Sequence, residues 1–257
     1  MNLQIILLGL IQGVTEFLPI SSSGHLVLLQ KIFGLKEMLF YDVLLHFSTL
    51  LAVVVLFFKD IVEYLKNKKI IFYILLLSVP TGIIGLVVKK YFTSVYDNVF
   101  LSGIFLVITG LWLIFSEKKY LSNFSDKIDI LNIGIIKSLL VGITQGISVL
   151  PGISRSAATL GSMLVLNFKK EQAVKFIFIA SIPAILGATF LELKDIIFYK
   201  KLNFELSYIY GIITAFVFAL ISLKFLVKIV QKSKLKYFGY YCFLVSIVSV
   251  ITHFFKK

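Results

Sequence analysis

Six long apolar stretches separate the charged residues of this 257-residue chain. Each is close to the ~20 residues that a helix needs to cross the hydrocarbon core of a bilayer. Each is also bounded by charges or turn residues, as membrane spans usually are. Hydrophobic residues make up 59% of the chain and charged residues 15%, against roughly 45–50% and ~25% in soluble domains. The six predicted spans are Leu39–Phe58, Ile70–Val88, Val99–Phe115, Ala173–Leu193, Leu206–Val227 and Tyr237–Phe255.

Two further apolar regions, Leu3–Leu29 and Ile133–Leu166, are broken in the middle by glycine, proline and hydroxyl residues. Non-helical backbone at membrane depth persists only where protein buries it or where it lines a wet cavity. We therefore predict that each region is a re-entrant helix–loop–helix hairpin. The expected fold is an all-α polytopic membrane protein, with about six transmembrane helices and two hairpins in a single domain over residues 1–257.

The two broken regions resemble each other at a constant shift of 133 positions. This shift pairs Gly9 with Gly142, Gln12 with Gln145, Gly13 with Gly146, Ser21 with Ser154, and Ser23 with Ser156. A second echo, between Ser78–Gly85 and Ser181–Gly187, has a different offset. The sequence thus predicts internal repeats over about 1–117 and 130–230, with about thirty extra residues in the first, around Leu39–Phe58.

The distribution of lysines sets the expected topology. With the N-terminus outside, the inner loops carry fourteen lysines, within 59–69, 118–127, 169–175 and 228–236, against nine outside. Cytoplasmic loops of membrane proteins carry an excess of lysine and arginine, so this orientation is favoured, although only mildly. The first hairpin then enters from outside and the second from inside. Such an inverted-topology repeat would bring the two broken tips together near the midplane.

The net charge of +13 does not indicate a nucleic-acid partner. The lysines lie in short clusters between apolar stretches, which is typical of anchoring to anionic headgroups. Cys242, the single cysteine, has no partner for an internal disulfide, and zinc or thiol chemistry is unsupported. The first apolar run lacks a charged leader and a small-residue cleavage site, so we do not expect a cleaved signal peptide.

Three ionisable residues fall in the two broken tips: Glu16, His25 and Arg155. An ionisable residue inside the hydrocarbon is costly and is therefore a functional hypothesis by default. Arg155 is the only arginine among 26 basic residues. Its rigid, forked guanidinium matches phosphate or carboxylate oxygens, whereas lysine is a point charge. Arg155 is expected either to clamp a phosphate or to pair with Glu16, and the two roles are compatible.

Glu16 follows Gln12 by four residues, so the two side chains share a helix face. This spacing suits a hard divalent cation, magnesium or calcium, which prefers oxygen ligands and retains substrate phosphates in its shell. A packing hydrogen bond between the two side chains is the alternative.

Ser21, Ser22 and Ser23 precede Gly24 and His25. Successive backbone N–H groups in such turns bind anions. Ser21 and Ser23 could equally be helix N-caps. Ser22 is a candidate nucleophile with His25 as its base, although His25 could itself attack phosphorus.

Two other histidines have no comparable neighbours in sequence. His46 is predicted to be a buried packing residue and His253 an interfacial one. The polar residues of the two tips are the predicted substrate-binding residues. They are Gln12, Ser21, Ser23, Gln145, Ser154, Ser156 and Thr159.

The strings QGVTEFLPISSSGHL and LPGISRSAAT, together with FYDVLLHFSTLLAVVV, resemble the undecaprenyl-pyrophosphate phosphatase family, the bacitracin-resistance type of membrane phosphatase. The likeness covers essentially the whole chain. It implies a multi-pass protein of the bacterial cytoplasmic membrane with inverted repeats and two re-entrant hairpins. It also implies hydrolysis of undecaprenyl diphosphate to the monophosphate, so that the cell-wall lipid carrier is reused.

The resemblance also implies residue roles: Glu16 as the second acid of the family's glutamate motif, Ser22 as nucleophile, His25 as its base and Arg155 as phosphate clamp. The first position of that motif is commonly glutamate but is Gln12 here. A neutral ligand should weaken a metal site, so a metal held by two carboxylates is in doubt.

A transporter or flippase of a phosphorylated isoprenoid lipid is the alternative function. Inverted repeats and broken helices are common in transporters, but a flippase needs no nucleophile beside a base. We expect the partners to be an isoprenoid diphosphate and the bilayer, with no nucleic acid. The cavity is expected to open to the outer face, and a homodimer is left open.

Overall fold

The structure is a computed structural model, and it describes residues 2–35, 38–92, 95–96, 98–199 and 205–255. These residues form eleven α-helices, joined by short turns and one 3₁₀ turn at Ile130–Asn132. The helices are α1 Asn2–Thr15, α2 Ser22–Phe33, α3 Leu39–Leu56, α4 Phe58–Lys66, α5 Lys68–Tyr91, α6 Val99–Leu121, α7 Gly134–Ile147, α8 Arg155–Val165, α9 Lys170–Tyr199, α10 Tyr208–Gln231 and α11 Lys236–Phe255.

Six of these helices, α3, α5, α6, α9, α10 and α11, are long and apolar enough to cross a membrane. They coincide with the six predicted spans, so the prediction of a multi-pass, all-α membrane protein is confirmed. The helices extend beyond the predicted apolar spans. For example, α6 continues through Lys118 and Lys119 to Leu121, because backbone hydrogen bonding does not stop where hydropathy falls. Pro80 and Pro183 lie inside α5 and α9, where neighbouring membrane helices can satisfy the freed backbone groups.

Both broken regions form a helix, a turn and a second helix. The first pair is α1 and α2, and the second is α7 and α8. Helices α1 and α7 have 14 residues each, which at 1.5 Å per residue is about 21 Å and falls short of the ~30 Å hydrocarbon core. Both regions are therefore consistent with the predicted re-entrant hairpins, and the re-entrant hairpins, with the return of each to its side of entry, stay a prediction.

Glycines at matching positions let the first helix of each hairpin approach a long helix closely. A Cβ on Gly9 would collide with the backbone of Gly211 in α10, and one on Gly142 would collide with the carbonyl of Leu77 in α5. Because these positions carry no side chain, α1 lies directly on α10 and α7 directly on α5.

Some helix contacts have a counterpart when α1, α2, α3, α5 and α6 are matched in order with α7, α8, α9, α10 and α11. The contact of α1 with α10 then mirrors that of α7 with α5, and α3 with α10 mirrors α9 with α5. This pairing also matches α3 with α9 and α6 with α11. The duplication, its bounds at about 1–117 and 130–230, and the extra residues around Leu39–Phe58 stay predictions.

The lysine clusters within 59–69, 118–127, 169–175 and 228–236 lie at one end of the bundle, which we call the lysine end. Lys175 pairs with Asp60 at 3.0 Å, and Glu117 accepts backbone hydrogen bonds from Leu235 and Lys236. Lys89 pairs with Asp195 at 2.6 Å at the opposite end. Five lysines counted on that opposite side lie outside the described residues: Lys36, Lys200, Lys201, Lys256 and Lys257.

The loop before α7 is docked at the lysine end through Asp129. Its carboxylate accepts hydrogen bonds from the side chains of Gln172, at 2.8 Å, and Lys169, at 3.1 Å. Together with the backbone N–H of Leu131, these donors lower the pKa of Asp129 to about 2, with the Gln172 amide as the largest cause. Asp129 is therefore ionised at neutral pH and holds the connection between the two hairpin-containing halves in place.

Candidate active site

A cavity of about 270 Å³ lies between the two hairpin turns, α3 and the second half of α9. Its walls carry both polar and apolar side chains. Polar side chains in the lining include Glu16, Ser21, Ser22, Ser23, His46, Gln145, Ser148, Ser154 and Arg155. Apolar side chains in the lining include Leu26, Val27, Met38, Leu39, Val149, Pro151, Ile153, Ala184, Ile185 and Ala188. The cavity therefore suits a molecule with a charged head and an apolar tail.

An ion pair between Glu16 and Arg155 joins the two hairpins. Glu16 follows the end of α1, and Arg155 is the first residue of α8. Arg155 Nη2 donates to Glu16 Oε1. The Glu16 side chain is 1% exposed and that of Arg155 is 26% exposed, so the carboxylate is enclosed while part of the guanidinium faces the cavity. The predicted meeting of the two tips is present in the structure.

Three side chains lie close to the second carboxylate oxygen of Glu16, Oε2. Ser22 Oγ donates to Glu16 Oε2 at 2.6 Å, and Gln12 Nε2 donates to the same oxygen at 2.9 Å. His46 Nδ1 lies 3.3 Å from it. A short hydrogen bond from a hydroxyl to a carboxylate is charge-assisted. Glu16 therefore holds the Ser22 hydroxyl in one orientation beside the cavity.

Ser21 locks the two turns together. Its φ of 66° lies in the left-handed region, where a non-glycine residue is strained. Three contacts hold it there: His25 Nδ1 lies 2.7 Å from its carbonyl, and its Oγ accepts from the backbone N–H groups of Gly24 and Gly152. The strained turn directs the next residue, Ser22, towards Glu16.

The sequence predicts that Ser22 pairs with His25, but the structure does not bring these two side chains together. The two ring nitrogens of His25 lie 2.7 Å from the Ser21 carbonyl and 3.0 Å from the Tyr241 hydroxyl on α11. His25 is buried and is not among the residues that line the cavity. Because both nitrogens are engaged elsewhere, Glu16 and not His25 is the hydrogen-bond acceptor for Ser22.

His46 is the residue that the sequence analysis misplaced. It was expected to pack in the core, but it lines the cavity, with Nδ1 3.0 Å from Gln12 Nε2. The signal was present, because an ionisable residue in the middle of the apolar α3 is itself a functional hypothesis. His253, near the end of α11, packs against the rings of Phe100 and Phe254.

The other predicted substrate-binding residues fall into two groups. Gln145 and Ser154 line the main cavity. In the part of the chain that the structure describes, the buried Gln145 Oε1 has no hydrogen-bond partner, and Ser154 caps α8. Ser156 and Thr159 instead line a small cavity of about 10 Å³ on the other side of the Glu16–Arg155 pair. Ser156 Oγ donates to the Leu18 carbonyl and Thr159 Oγ1 to the Arg155 carbonyl. Their hydroxyls therefore hold the turns and do not face the main cavity.

The side chains at the turns do not form a divalent-cation site by themselves. Within the described ranges, no group of three or more histidine, cysteine or acidic residues is arranged to hold a metal. Both oxygens of Glu16 are already engaged by donors, and the Arg155 guanidinium occupies the position next to it. Among the described residues Gln12 Oε1 has no hydrogen-bond partner, so this buried atom is one oxygen still available. Magnesium or calcium at Glu16 and Gln12 stays a prediction.

Comparison with known proteins places this arrangement in a family. The family described as bacitracin resistance protein BacA matches residues 5–248. This chain belongs to that family. Three relatives, each named undecaprenyl-diphosphatase, show how far the similarity extends. The protein of Methanococcus vannielii is 42% identical, covering 94% of this chain and 96% of the relative. That of Halothermothrix orenii is 39% identical, covering 96% of both, and that of Carboxydothermus hydrogenoformans is 37% identical, covering 97% of both. The expected family membership is confirmed.

Proposed function

We propose that this protein hydrolyses undecaprenyl diphosphate to undecaprenyl phosphate and inorganic phosphate, which returns the lipid carrier to cell-wall synthesis. Membership of the BacA family and near full-length similarity to proteins named undecaprenyl-diphosphatase support this activity. The family's description also associates it with bacitracin resistance. The presence of both polar and apolar side chains in the cavity wall agrees with a substrate that joins a diphosphate to an isoprenoid tail.

One observation at the site carries the proposal. A serine hydroxyl, its hydrogen-bond acceptor and a guanidinium meet in one cavity: Ser22 Oγ lies 2.6 Å from Glu16, and Glu16 pairs with Arg155. A nucleophile needs a group that takes its proton. A transferred phosphoryl group needs fixed positive charge around its oxygens. Both requirements are met by residues of the two hairpins.

Binding of the diphosphate follows from the first residues of α2 and α8. Both helices begin at the turns that line the cavity, at Ser22 and Arg155. The N-terminus of a helix carries free N–H groups and partial positive charge, which favour anions. We assign the exposed part of the Arg155 guanidinium to the terminal phosphate, with Ser23, Gln145 and Ser154 beside it.

In the first chemical step, Ser22 Oγ attacks the terminal phosphorus. The new bond joins Oγ to phosphorus, the bond from phosphorus to the bridging oxygen breaks, and the lipid monophosphate leaves. The Ser22 proton passes to Glu16 Oε2, to which the hydroxyl already donates. Water then attacks the phosphoserine, inorganic phosphate leaves, and a proton returns to Ser22. His25 holds the turn through Ser21 and Tyr241 and takes no part in this transfer.

The mouth of the cavity lies at the end opposite the lysine end. Its outermost lining residues are Asp42 near the start of α3, Tyr96 between α5 and α6, and Glu192 near the end of α9. If the lysine end is cytoplasmic, as the positive-inside rule favours, the cavity opens to the outer face of the cytoplasmic membrane. We propose this orientation, in which the substrate's head enters from outside and its tail stays in the bilayer.

A flippase for the same lipid would also need a phosphate site between two inverted halves. It would not need a serine held against a carboxylate, so the Ser22–Glu16 contact favours an enzyme. The deciding experiment is phosphate release from a long-chain isoprenyl diphosphate by the purified protein in detergent, where no second compartment exists. Release by the wild type, and none by Ser22→Ala, is expected. Wild-type protein that binds the lipid without releasing phosphate would contradict the enzyme and favour the flippase.

A further inference from the structure

The short helix α4, Phe58–Lys66, joins two helices that are long and apolar enough to cross a membrane, α3 and α5. Its nine residues span about 14 Å, which is too short to cross the ~30 Å hydrocarbon core. The preceding α3 has 18 residues and is therefore about 27 Å long. Because α3 alone nearly crosses the core, α4 begins close to the edge of the bilayer, at the lysine end.

One side of α4 is held against the bundle. Tyr64 is buried, and Ile61 packs against the same hydrophobic core. Asp60 pairs at 3.0 Å with Lys175, which lies in the second turn of α9. The residues at 60, 61 and 64 share a side of a helix. The helix is therefore fixed in its rotation about its own axis, and its remaining sides point in defined directions.

A second side of α4 is an exposed apolar stripe. Phe58, Val62 and Leu65 are spaced at i, i+4 and i+7, so they lie in a row on one face. Their side chains are 60%, 37% and 64% exposed. Among the described residues, nothing covers this stripe. Large apolar side chains in water are unfavourable, so the stripe requires an apolar environment outside the protein.

The third side of α4 is charged. Lys59, Glu63 and Lys66 are exposed and lie away from both the bundle and the apolar stripe. A helix that lies flat in a membrane surface has this division, with its apolar face at the boundary of headgroups and acyl chains and its charged face in water. The three sides of α4 therefore match the bundle, the bilayer and the aqueous phase.

The charge around α4 is positive and is not explained by the helices themselves. Asp60 is already paired with Lys175, which leaves Glu63 as the other acidic residue within 58–69. Lys68 and Lys69 lie in the first turn of α5, where the helix dipole disfavours cations. An anionic surface beside the helix offsets this cost. The exposed lysines of this segment are Lys59, Lys66, Lys68 and Lys69.

We propose that α4 docks in the plane of the leaflet at the lysine end, with its apolar stripe among the acyl chains and its four exposed lysines on the phosphates of anionic phospholipids. A protein partner fits this surface less well. A stable protein interface buries about 800 Å² on each partner, which is more than three partly exposed side chains offer. The proposal does not depend on the phosphatase function.

The depth of the stripe is tested with nitroxide labels on Leu65→Cys and on the matched control Glu63→Cys, two exposed positions on different sides of α4. The natural Cys242 is buried, so the introduced cysteine takes the label. Each protein is reconstituted in vesicles of phosphatidylcholine and phosphatidylglycerol. We expect oxygen, which concentrates among acyl chains, to relax the label at 65 more than a water-soluble nickel chelate does. The label at 63 should show the reverse.

The role of the lysines is tested by replacing all four with glutamine and, as the control that keeps the charge, with arginine. Thermal unfolding is followed in neutral detergent with increasing phosphatidylglycerol. We expect this lipid to raise the unfolding temperature of the wild type and of the arginine variant. The glutamine variant should need at least about tenfold more lipid for the same rise, because each lysine adds to the attraction to an anionic surface. Phosphatidylcholine should not separate the variants.

Three results would overturn the proposal. Equal access of the nickel chelate to both labels would place the stripe in water. A label at 65 that is shielded from both reagents, with spin–spin broadening that grows with the ratio of protein to lipid, would assign the stripe to a second copy of the chain. An unchanged lipid dependence in the glutamine variant would exclude the anionic headgroups. If that variant does not fold, Lys59→Gln and Lys66→Gln, each made singly at an exposed position, replace it.

Discussion

The guanidinium of Arg155 pairs with the carboxylate of Glu16 across 139 positions of sequence, and this contact joins the two hairpin turns. Glu16 is enclosed, and Arg155 is the residue of the pair that reaches the cavity. An enclosed charge pair contributes little net stability but is costly to break on one side. The role that we propose for the pair is therefore a preformed anion site, in which Arg155 keeps donors directed at a substrate phosphate.

Replacing Arg155 with lysine is predicted to lower kcat on the order of 10²–10³-fold, as for loss of one fixed donor to a transition-state oxyanion. Lysine keeps the charge but not the forked geometry that spans Glu16 and a phosphate oxygen. Phosphate release in detergent measures the effect. Lys175→Arg, which preserves the charge of the Lys175–Asp60 pair at the lysine end, is the matched control and should behave as the wild type. Full activity of Arg155→Lys would exclude a role for the guanidinium geometry.

His25→Asn and Ser22→Ala should separate positioning from chemistry. An asparagine at 25 keeps an amide donor for the Ser21 carbonyl, the contact that His25 Nδ1 makes at 2.7 Å. We expect His25→Asn to retain the wild-type pH profile with a modest loss of kcat, and Ser22→Ala to be inactive. Tyr241→Phe, which removes only the second contact of His25, should cost roughly 1–3 kcal/mol of stability, because it leaves a buried ring nitrogen without that partner. A His25→Asn variant that loses the pH dependence would restore His25 as the base.

The glycine contacts predict a difference in stability between matched alanine substitutions. Gly9→Ala and Gly142→Ala each place a methyl group against the backbone of a neighbouring helix, and we expect a loss of about 1–3 kcal/mol, as for overpacking. Gly82 lies in a helix with no heavy atom within 4 Å of a built Cβ. Gly82→Ala should therefore change stability little or raise it slightly. Thermal unfolding in detergent measures all three, and equal stability of all three variants would contradict the close helix contacts.

Gln12→Glu tests the metal prediction. In the protein, the Gln12 amide donates to Glu16 at 2.9 Å, whereas a glutamate would place two carboxylates side by side. Two adjacent carboxylates need a cation or a proton between them. We expect Gln12→Glu to depend strongly on added magnesium or calcium and to be inhibited by a chelator, with the wild type less sensitive. A wild type that is fully inhibited by chelation, together with an unaltered Gln12→Glu variant, would show that the glutamine does not weaken metal binding.

The fold was largely predictable because its causes are local in sequence. Apolar runs long enough to span a bilayer predicted the six long helices, and the interruptions near Pro19 and Pro151 predicted the two broken regions. The repeat boundaries stay a prediction. The short echo between Ser78–Gly85 and Ser181–Gly187 indicates an insertion in the first half, and the helix contacts also pair α3 with α9. Short matches in sequence do not report which helices pack alike.

The candidate site was predictable only in part. Glu16, Ser22 and Arg155 stand out because polar and charged groups are costly at membrane depth, and the structure brings them together. The neighbours of each histidine were not predictable. His25 is close to Ser22 in sequence but is held by Tyr241, and His46 is distant in sequence but touches Glu16. Such contacts depend on which helix faces each turn, and one sequence alone does not give this information.

The most direct test of the account is a rapid-quench experiment with an isoprenyl diphosphate labelled in its terminal phosphate. We predict that the label appears transiently on the peptide that contains Ser22 and that Ser22→Ala forms no labelled protein. Label on a histidine, or free phosphate formed by the wild type with no labelled protein at any time, would contradict the assignment of Ser22 as the nucleophile held by Glu16.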